Sequence, residues 1–257
     1  LIDNKNLQKF ICNINKNLKI IGITCTGKIF QIDWQSNLNS DYKLDNRNLS
    51  NIDPKEIINF HSIDKKIKNN ICTLNSDGRF KKVLFDYDMA NSNRAFTITK
   101  LKKEIKLIDS FISSGDETLS ILTSIGRIFK FDLSNKHITP TKKQSQGLVL
   151  AKLLPTEKIV SCCKSDNKEN LYLVSKKGKI FNIKNNDIYY ANDHKLGYLF
   201  GKNQLKNDYF IKILPSNKYL DIETNKNKSA RLNIDKLNFK ENKTICLTEF
   251  LNLEKDE

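Results

Sequence analysis

Four basic residues recur directly after a glycine: Lys28 after Gly27, Arg79 after Gly78, Arg127 after Gly126 and Lys179 after Gly178. The glycines are 51, 48 and 52 residues apart. Equivalent positions of a structural repeat fall on one rim of the assembled fold. The four cations, with Lys81, Lys82 and Lys130 just beyond, are therefore expected to form an exposed arc. The chemistry open to such an arc is electrostatic, because each cation near a phosphate releases condensed counterions. Charged residues also flank single turns for solubility alone. Repetition at one position is what favours the arc.

Other chemistry finds little support. His61, His137 and His194 are far apart and lack metal or triad spacing. Asp86 and Asp88 flank a turn and make no acid–base pair. Tyr87, Tyr189, Tyr190 and Tyr198 read as strand or rim residues. No phosphate-binding loop of the G-x-x-x-x-G-K-[ST] type occurs. None of the six cysteines makes a C-x-x-C pair, and most sit in apolar runs as small hydrophobes. Unpatterned thiols suit a reducing cytoplasm. No catalytic and no metal-ligating residue is therefore assigned.

The charge balance supports a polyanionic partner. The 257 residues hold 44 Lys+Arg against 29 Asp+Glu, a net charge of +15. Such a chain attracts nucleic acid first and anionic membrane second. Lysine far outnumbers arginine, which occurs only as Arg47, Arg79, Arg94, Arg127 and Arg231. AT-rich codon usage yields the same bias without any ligand. No run of about 18 apolar residues is present to span a membrane. The chain opens on Leu1, as expected of a segment of a longer protein.

The elements that must position the cations are strands. Around each Gly–basic step an apolar-alternating run precedes a polar turn and a second run follows, as in Leu122–Phe129. Glycine supplies the positive φ that a tight hairpin needs. Phe30, Ile32 and Trp34 share one face at period two. Further strands are expected at Pro54–His61, Arg94–Thr99, Ile105–Ile112, Gly147–Leu154, Lys158–Cys163, Leu196–Phe200 and Tyr209–Leu214. A fifth repeat is degenerate, with Ala230 in the glycine's place, 52 residues after Gly178. The expected units are 1–18 (partial), 19–64, 65–113, 114–165, 166–214 and 215–251, with an acidic tail at 252–257, all in one domain. Each holds four short strands. Such sheets stack radially, so the fold class is all-β and propeller-like, with about five to six four-stranded blades.

These residues resemble a family. Thr123-Ser124-Ile125-Gly126-Arg127-Ile128-Phe129-Lys130, then Lys143-Gln144-Ser145-Gln146-Gly147-Leu148, then Glu157-Lys158-Ile159-Val160-Ser161 are similar to successive blade motifs of a known domain. It is the β-pinwheel C-terminal domain of the DNA gyrase A subunit and its topoisomerase IV counterpart. The second unit carries Gly78-Arg79-Phe80-Lys81-Lys82 and Arg94-Ala95, with Ile98 where glycine is usual. The resemblance implies a non-catalytic module that binds and bends duplex DNA. Its partners would be the rest of the A subunit and an ATPase B subunit, with ATP and magnesium bound elsewhere in the parent enzyme and no cofactor here. The location implied is cytoplasmic and nucleoid-associated. The implied DNA contacts are Lys28, Arg79, Lys81, Lys82, Arg94, Arg127, Lys130, Lys142, Lys143 and Lys179, and Gly27, Gly78, Gly126, Gly147 and Gly178 are its turn glycines. Lys142-Lys143-Gln144-Ser145-Gln146-Gly147 echoes the family's glutamine-, arginine- and glycine-rich box. Gln31, Asn182 and Asp193 depart from basic positions, so an uneven track is expected, strongest across the second and third units. The alternative reading is a β-propeller module that binds a protein.

Overall fold

The computed structural model describes residues 18–32, 52–64, 69–85, 95–143, 145–191, 197–200, 205, 207–216, 219–223, 229–234, 237 and 244–246. They form strands joined by turns and two single-turn 3-10 segments, Pro54–Glu56 and Asn185–Asp187. No helix among them is long and apolar enough to cross a membrane. The chain divides into two compact units, Leu1–Asp116 with Ser134–Leu150, and Glu117–Leu133 with Ala151–Glu257.

The first unit holds two four-stranded antiparallel sheets. In one, β1 (Leu18–Thr24), β2 (Lys28–Ile32), β3 (Ile57–Asp64) and β6 (Phe96–Thr97) lie in the order β3-β1-β2-β6. In the other, β4 (Asn69–Asn75), β5 (Arg79–Phe85), β7 (Leu107–Ser113) and β10 (Leu148–Val149) lie in the order β7-β4-β5-β10. The second unit repeats the arrangement twice. One sheet runs β11-β8-β9-β14, from β8 (Thr118–Thr123), β9 (Arg127–Asp132), β11 (Ile159–Ser165) and β14 (Tyr198–Leu199). Another runs β15-β12-β13-β18, from β12 (Asn170–Ser175), β13 (Lys179–Lys184), β15 (Phe210–Pro215) and β18 (Thr244–Cys246). A two-stranded sheet pairs β16 (Tyr219–Glu223) with β17 (Ser229–Asn233).

One rule generates all four large sheets. A hairpin forms, a third strand adds to its first strand, and a short fourth strand adds to its second. That fourth strand arrives only after the next hairpin has been made. The sequence repeat and the sheet are therefore out of step: Phe96–Thr97 lies within repeat 65–113 but closes the first sheet on Lys28 and Ile29. A two-residue strand carries too little side-chain pattern to announce which sheet it joins. The described residues thus form four four-stranded sheets and one two-stranded sheet, against the expected five to six blades. Trp34, Arg94 and the start of the chain lie outside them.

Alternation assigns the side chains to cores. From β1 and β2, Ile21, Ile23 and Ile29 join Ile63, Ile71, Val83, Phe85, Ile98 and Leu107. Ile20, Phe30 and Ile32, on the opposite face, join Ile57 and Phe60. In the second unit, Leu122, Ile128, Leu171, Leu173, Phe181, Phe210 and Ile213 form one core. Cys72, Cys162 and Cys163 are buried strand residues, as free cysteines packing as hydrophobes should be.

The four hairpin turns are alike. Gly27, Gly78, Gly126 and Gly178 have φ of 79°, 79°, 85° and 78°. Each donates its N–H to the carbonyl three residues back, at 3.0, 3.1, 3.0 and 3.0 Å. The glycine carbonyl then accepts from the residue that follows the closing strand: Ile98 on Gly27, Leu150 on Gly78 and Phe200 on Gly126. A Cβ at Gly126 would lie 2.7 Å from the Phe200 carbonyl oxygen. Gly126→Ala combines positive-φ strain with this backbone contact. It should cost about 1–3 kcal/mol in equilibrium denaturation, and an unchanged midpoint would contradict that account.

Candidate nucleic-acid interface

The exposed arc expected from the sequence is not formed. Among its members only Lys28 is exposed, on β2 opposite Thr97. Lys179 is half-buried. Arg79 is half-buried, ion-paired to Asp77 at 3.2 Å, with Nη1 donating to the Gly147 carbonyl at 3.4 Å. Arg127, Lys81, Lys82 and Lys130 are 5%, 2%, 1% and 2% exposed. Side chains so withdrawn cannot reach a phosphate. The physical reason lies in the sheets: β5 and β9 are inner strands with both faces covered over most of their length, so consecutive residues such as Lys81 and Lys82 are both enclosed. The arc presupposed an open face.

Each buried cation has a defined task. Arg127 forms a two-pronged pair with Glu157, Nε donating to Oε1 at 2.8 Å and Nη2 to Oε2. Its Nη2 also donates to the Lys152 carbonyl at 2.9 Å, and the guanidinium carbon lies 4.8 Å from the Phe129 ring centroid. Lys81 Nζ donates to the carbonyls of Ile98 (2.7 Å), Ser145 (2.9 Å) and Lys143. Lys82 donates to Asn135 Oδ1 at 2.8 Å. Lys130 donates to the carbonyls of Asn185 (2.7 Å) and Ile188 (3.3 Å) and lies 4.8 Å from the Tyr190 ring centroid.

Lys82 and Lys130 stand four residues after their turn glycines, where the other repeats have Gln31 and Asn182. Both reach into the connection that carries the closing strand home. Backbone bonds repeat the contact: Thr141 N–H donates to the Lys82 carbonyl and Ala191 N–H to the Lys130 carbonyl, each at 2.7 Å. Gly147 (φ 81°) and Gly197 (φ 72°) then turn the chain into β10 and β14. The other polar cluster singled out by histidine is also structural. His61 Nε2 shares a hydrogen bond with Ser110 Oγ at 2.9 Å, and Asn59 donates to Asp109, linking β3 to β7.

Burial works to raise the Glu157 carboxyl, but hydrogen bonds from Arg127, the Leu154 N–H and Thr123 outweigh it and hold it below the usual range. Removing one partner of this buried pair strands the other. Arg127→Ala should cost about 3–5 kcal/mol in chemical denaturation, and a loss below about 1 kcal/mol would place the pair with solvated surface bridges. Burial pushes the Lys81 ammonium down to about 8 and lowers Lys130 as well. Unfolded lysine titrates at 10.5, so between these values unfolding takes up a proton. The Lys81 contribution to stability is lost as pH falls through 8 and grows towards 10.5. The stability of the native chain relative to Lys81→Met should therefore rise across this window, measured by urea denaturation. A pH-independent difference would remove Lys81 as its source.

Most of the exposed cations among the described residues lie on the connections, with Lys28, Lys184, Lys212 and Arg231 on strands. In the first unit, Ile98 N–H bonds Gly27 O at 2.9 Å, Leu107 N–H bonds Cys25 O at 2.8 Å, and Ser76 N–H bonds Lys106 O at 2.8 Å. The segment 98–107 therefore runs from the first hairpin turn to the second. It displays Lys100, Lys102, Lys103 and Lys106, all exposed, with only Glu104 opposing them. Lys28 and Lys55 are exposed at the same end, where Cys25 N–H bonds Glu56 O at 2.7 Å. In the second unit, exposed Lys158 exchanges two bonds with Ser124 at the Gly126 turn, and exposed Lys176 and Lys177 form part of the Gly178 turn. Lys152 is exposed too. Of the box-like loop, Lys142 is exposed and Lys143 is half-buried with Nζ 4.7 Å from the Phe96 ring centroid. Sequence reasoning centred on the glycines passed over these connection lysines. A signal existed, since Lys100 and Lys152, and Lys106 and Lys158, are each 52 residues apart.

No family model and no curated protein matches the chain. Solved structures do. The chain is similar to the C-terminal domain of DNA topoisomerase IV, at 18% identity over 93% of this chain and 80% of that one, with a TM-score of 0.72. It is similar to the DNA gyrase A C-terminal domain, at 18% identity over 85% and 73%, with a TM-score of 0.69. The E. coli ParC C-terminal domain matches at 14% identity over 86% and 89%, with a TM-score of 0.57. The all-β fold expected from the repeats is therefore that of these C-terminal domains.

Proposed function

We propose that this chain is the C-terminal domain of a type II DNA topoisomerase A subunit, and that it binds and bends duplex DNA through exposed lysines. The observation that carries the reading is the fold, shared across most of the chain with the C-terminal domains of topoisomerase IV and gyrase A. The surface chemistry supports it. Six exposed lysines, Lys28, Lys55, Lys100, Lys102, Lys103 and Lys106, gather at the hairpin-turn end of the first unit.

These are lysines, whereas the arginines among the described residues are engaged: Arg127 with Glu157, Arg79 with Asp77 and Arg231 with Asp221. Two-pronged reading of guanine edges is typically an arginine task, and lysine ammonium acts as a point charge on phosphate. The proposed recognition is accordingly of the backbone and indifferent to sequence. Bending a site of 20–30 bp by 40–90° costs about 1–6 kcal/mol, offset by the additional phosphate contacts that the bend allows. Strand cleavage, ATP and magnesium belong to other parts of the parent enzyme in this reading, with the rest of the A subunit and an ATPase subunit as partners in the nucleoid.

A salt titration on linear duplex tests it. Six phosphate contacts would weaken binding by about 10³-fold between roughly 50 and 200 mM salt. The triple charge reversal Lys100→Glu, Lys102→Glu and Lys103→Glu should flatten the log–log slope by about 0.9 for each phosphate no longer neutralised, equally on unrelated sequences. Salt-independent binding, or none at low salt, would sink the DNA reading and leave the protein-binding module in its place.

A further inference from the structure

Among the exposed lysines of the first unit, Lys100, Lys102, Lys103 and Lys106 lie on segment 98–107 and Lys142 on the separate segment 141–147, and like charges do not bring such segments together. One buried nitrogen does. Lys81 Nζ donates to the Ile98 carbonyl at the start of the first segment and to the Lys143 and Ser145 carbonyls of the second. Three acceptors for one ammonium match its three N–H donors. The next alternate carbonyl of the loop, Gly147, takes Arg79. The loop therefore turns the carbonyl edge of residues 143, 145 and 147 inward to cations from β5. Thr141 is held by the Lys82 carbonyl, and the Ser145 hydroxyl donates to Thr141 Oγ1 at 3.0 Å. The Lys143 ammonium packs on Phe96, two residues before Ile98, a second link between the same segments.

We infer that Lys81 is a positioning residue for polyanion binding. It never touches the phosphate, and it joins the lysine-rich connection 98–107 to the loop bearing Lys142 and Lys143 so that both present charge as one track. The inference rests on the proposed DNA binding. It assigns to a buried cation the role that its sequence position suggested for direct contact. A carbonyl cradle explains why a lysine serves here. A neutral side chain of equal length fills the volume but leaves three carbonyl oxygens without their donor.

The test uses the full chain with a linear duplex, and hydrogen exchange of the two segments. Lys81→Met should reduce the slope of log affinity against log salt by about 0.9 for each of Lys142 and Lys143 that no longer meets a phosphate. It should also raise amide exchange in 98–107 and 141–147 together. A purely structural lysine would lower the melting temperature and leave the slope of the folded protein unchanged. Lys81→Ala opens the cradle. Propylammonium chloride, compared with sodium chloride at equal ionic strength, should restore protection and slope to it. A native slope and native exchange in Lys81→Met would overturn the inference, as would amine-restored folding without recovery of slope. Lys142→Ala with Lys143→Ala leaves every backbone acceptor of Lys81 in place, so it keeps the inference open to refutation even if the Lys81 variants fail to fold. It should reduce the slope by the same amount, and an unchanged slope would remove the loop from the track. If the native chain binds no duplex at low salt, the DNA reading itself fails. The exchange measurements would still report whether Lys81 couples the two segments.

Discussion

The late arrival of each closing strand is the constraint on which the other features depend. A hairpin and its third strand leave the outer edge of the sheet open until the chain has built the next hairpin and returned. The returning strands β6, β10 and β14 are two residues long and contribute few ladder bonds. Such an edge needs further attachment. It comes from the turn glycine, whose carbonyl takes the next N–H, and from the cations of the second hairpin strand, which hold the returning connection. Glycine and the basic positions beyond it thus belong to one device. The glycine permits the close approach, and Arg79, Lys81, Lys82 and Lys130 hold what has approached.

Burying a cation is unfavourable unless its donors are met, and the two solutions seen here differ. Arg127 meets a carboxylate whose own charge is maintained by several hydrogen bonds. Lys81 and Lys130 meet only carbonyl dipoles and an aromatic face, and their ammonium groups are correspondingly easier to deprotonate. The carbonyls are not wasted on solvent, because the returning connections have no sheet partner for them. Each lysine therefore satisfies backbone acceptors that would otherwise be buried without donors.

The exposed charge sits on what remains. With Lys81, Lys82, Arg127 and Lys130 enclosed, most of the exposed positive charge of the described residues lies on connections, above all residues 98–107. That division suits the proposed binding: the sheets fix where the connections lie, and lysines stand exposed on them without disturbing the core. Lys81 and Arg127 still serve the surface indirectly, since each holds a carbonyl of a connection that bears exposed lysines, Ile98 and Lys152 respectively.

Local rules made much of this legible in the sequence. Glycine spacing announced the repeat, period-two alternation placed Phe30 and Ile32 together on one face of β2, and a glycine–basic step marked the hairpin of each four-stranded sheet, because backbone sterics and strand periodicity act over a few residues. Those rules also carried the all-β class. They could not say which sheet Phe96–Thr97, Leu148–Val149 or Tyr198–Leu199 would close, since pairing partners lie about seventy residues away and two residues hold no pattern. Nor could they distinguish an exposed lysine from a buried one. Lys81 and Lys100 are the same residue type in similar polar–apolar surroundings. Only the covering of both faces of β5 encloses the first, and only the passage of 98–107 between two turns exposes the second. Residue type determined that the chain would carry a basic repeat; burial, which is a tertiary property, decided which of its cations hold the fold and which stand exposed.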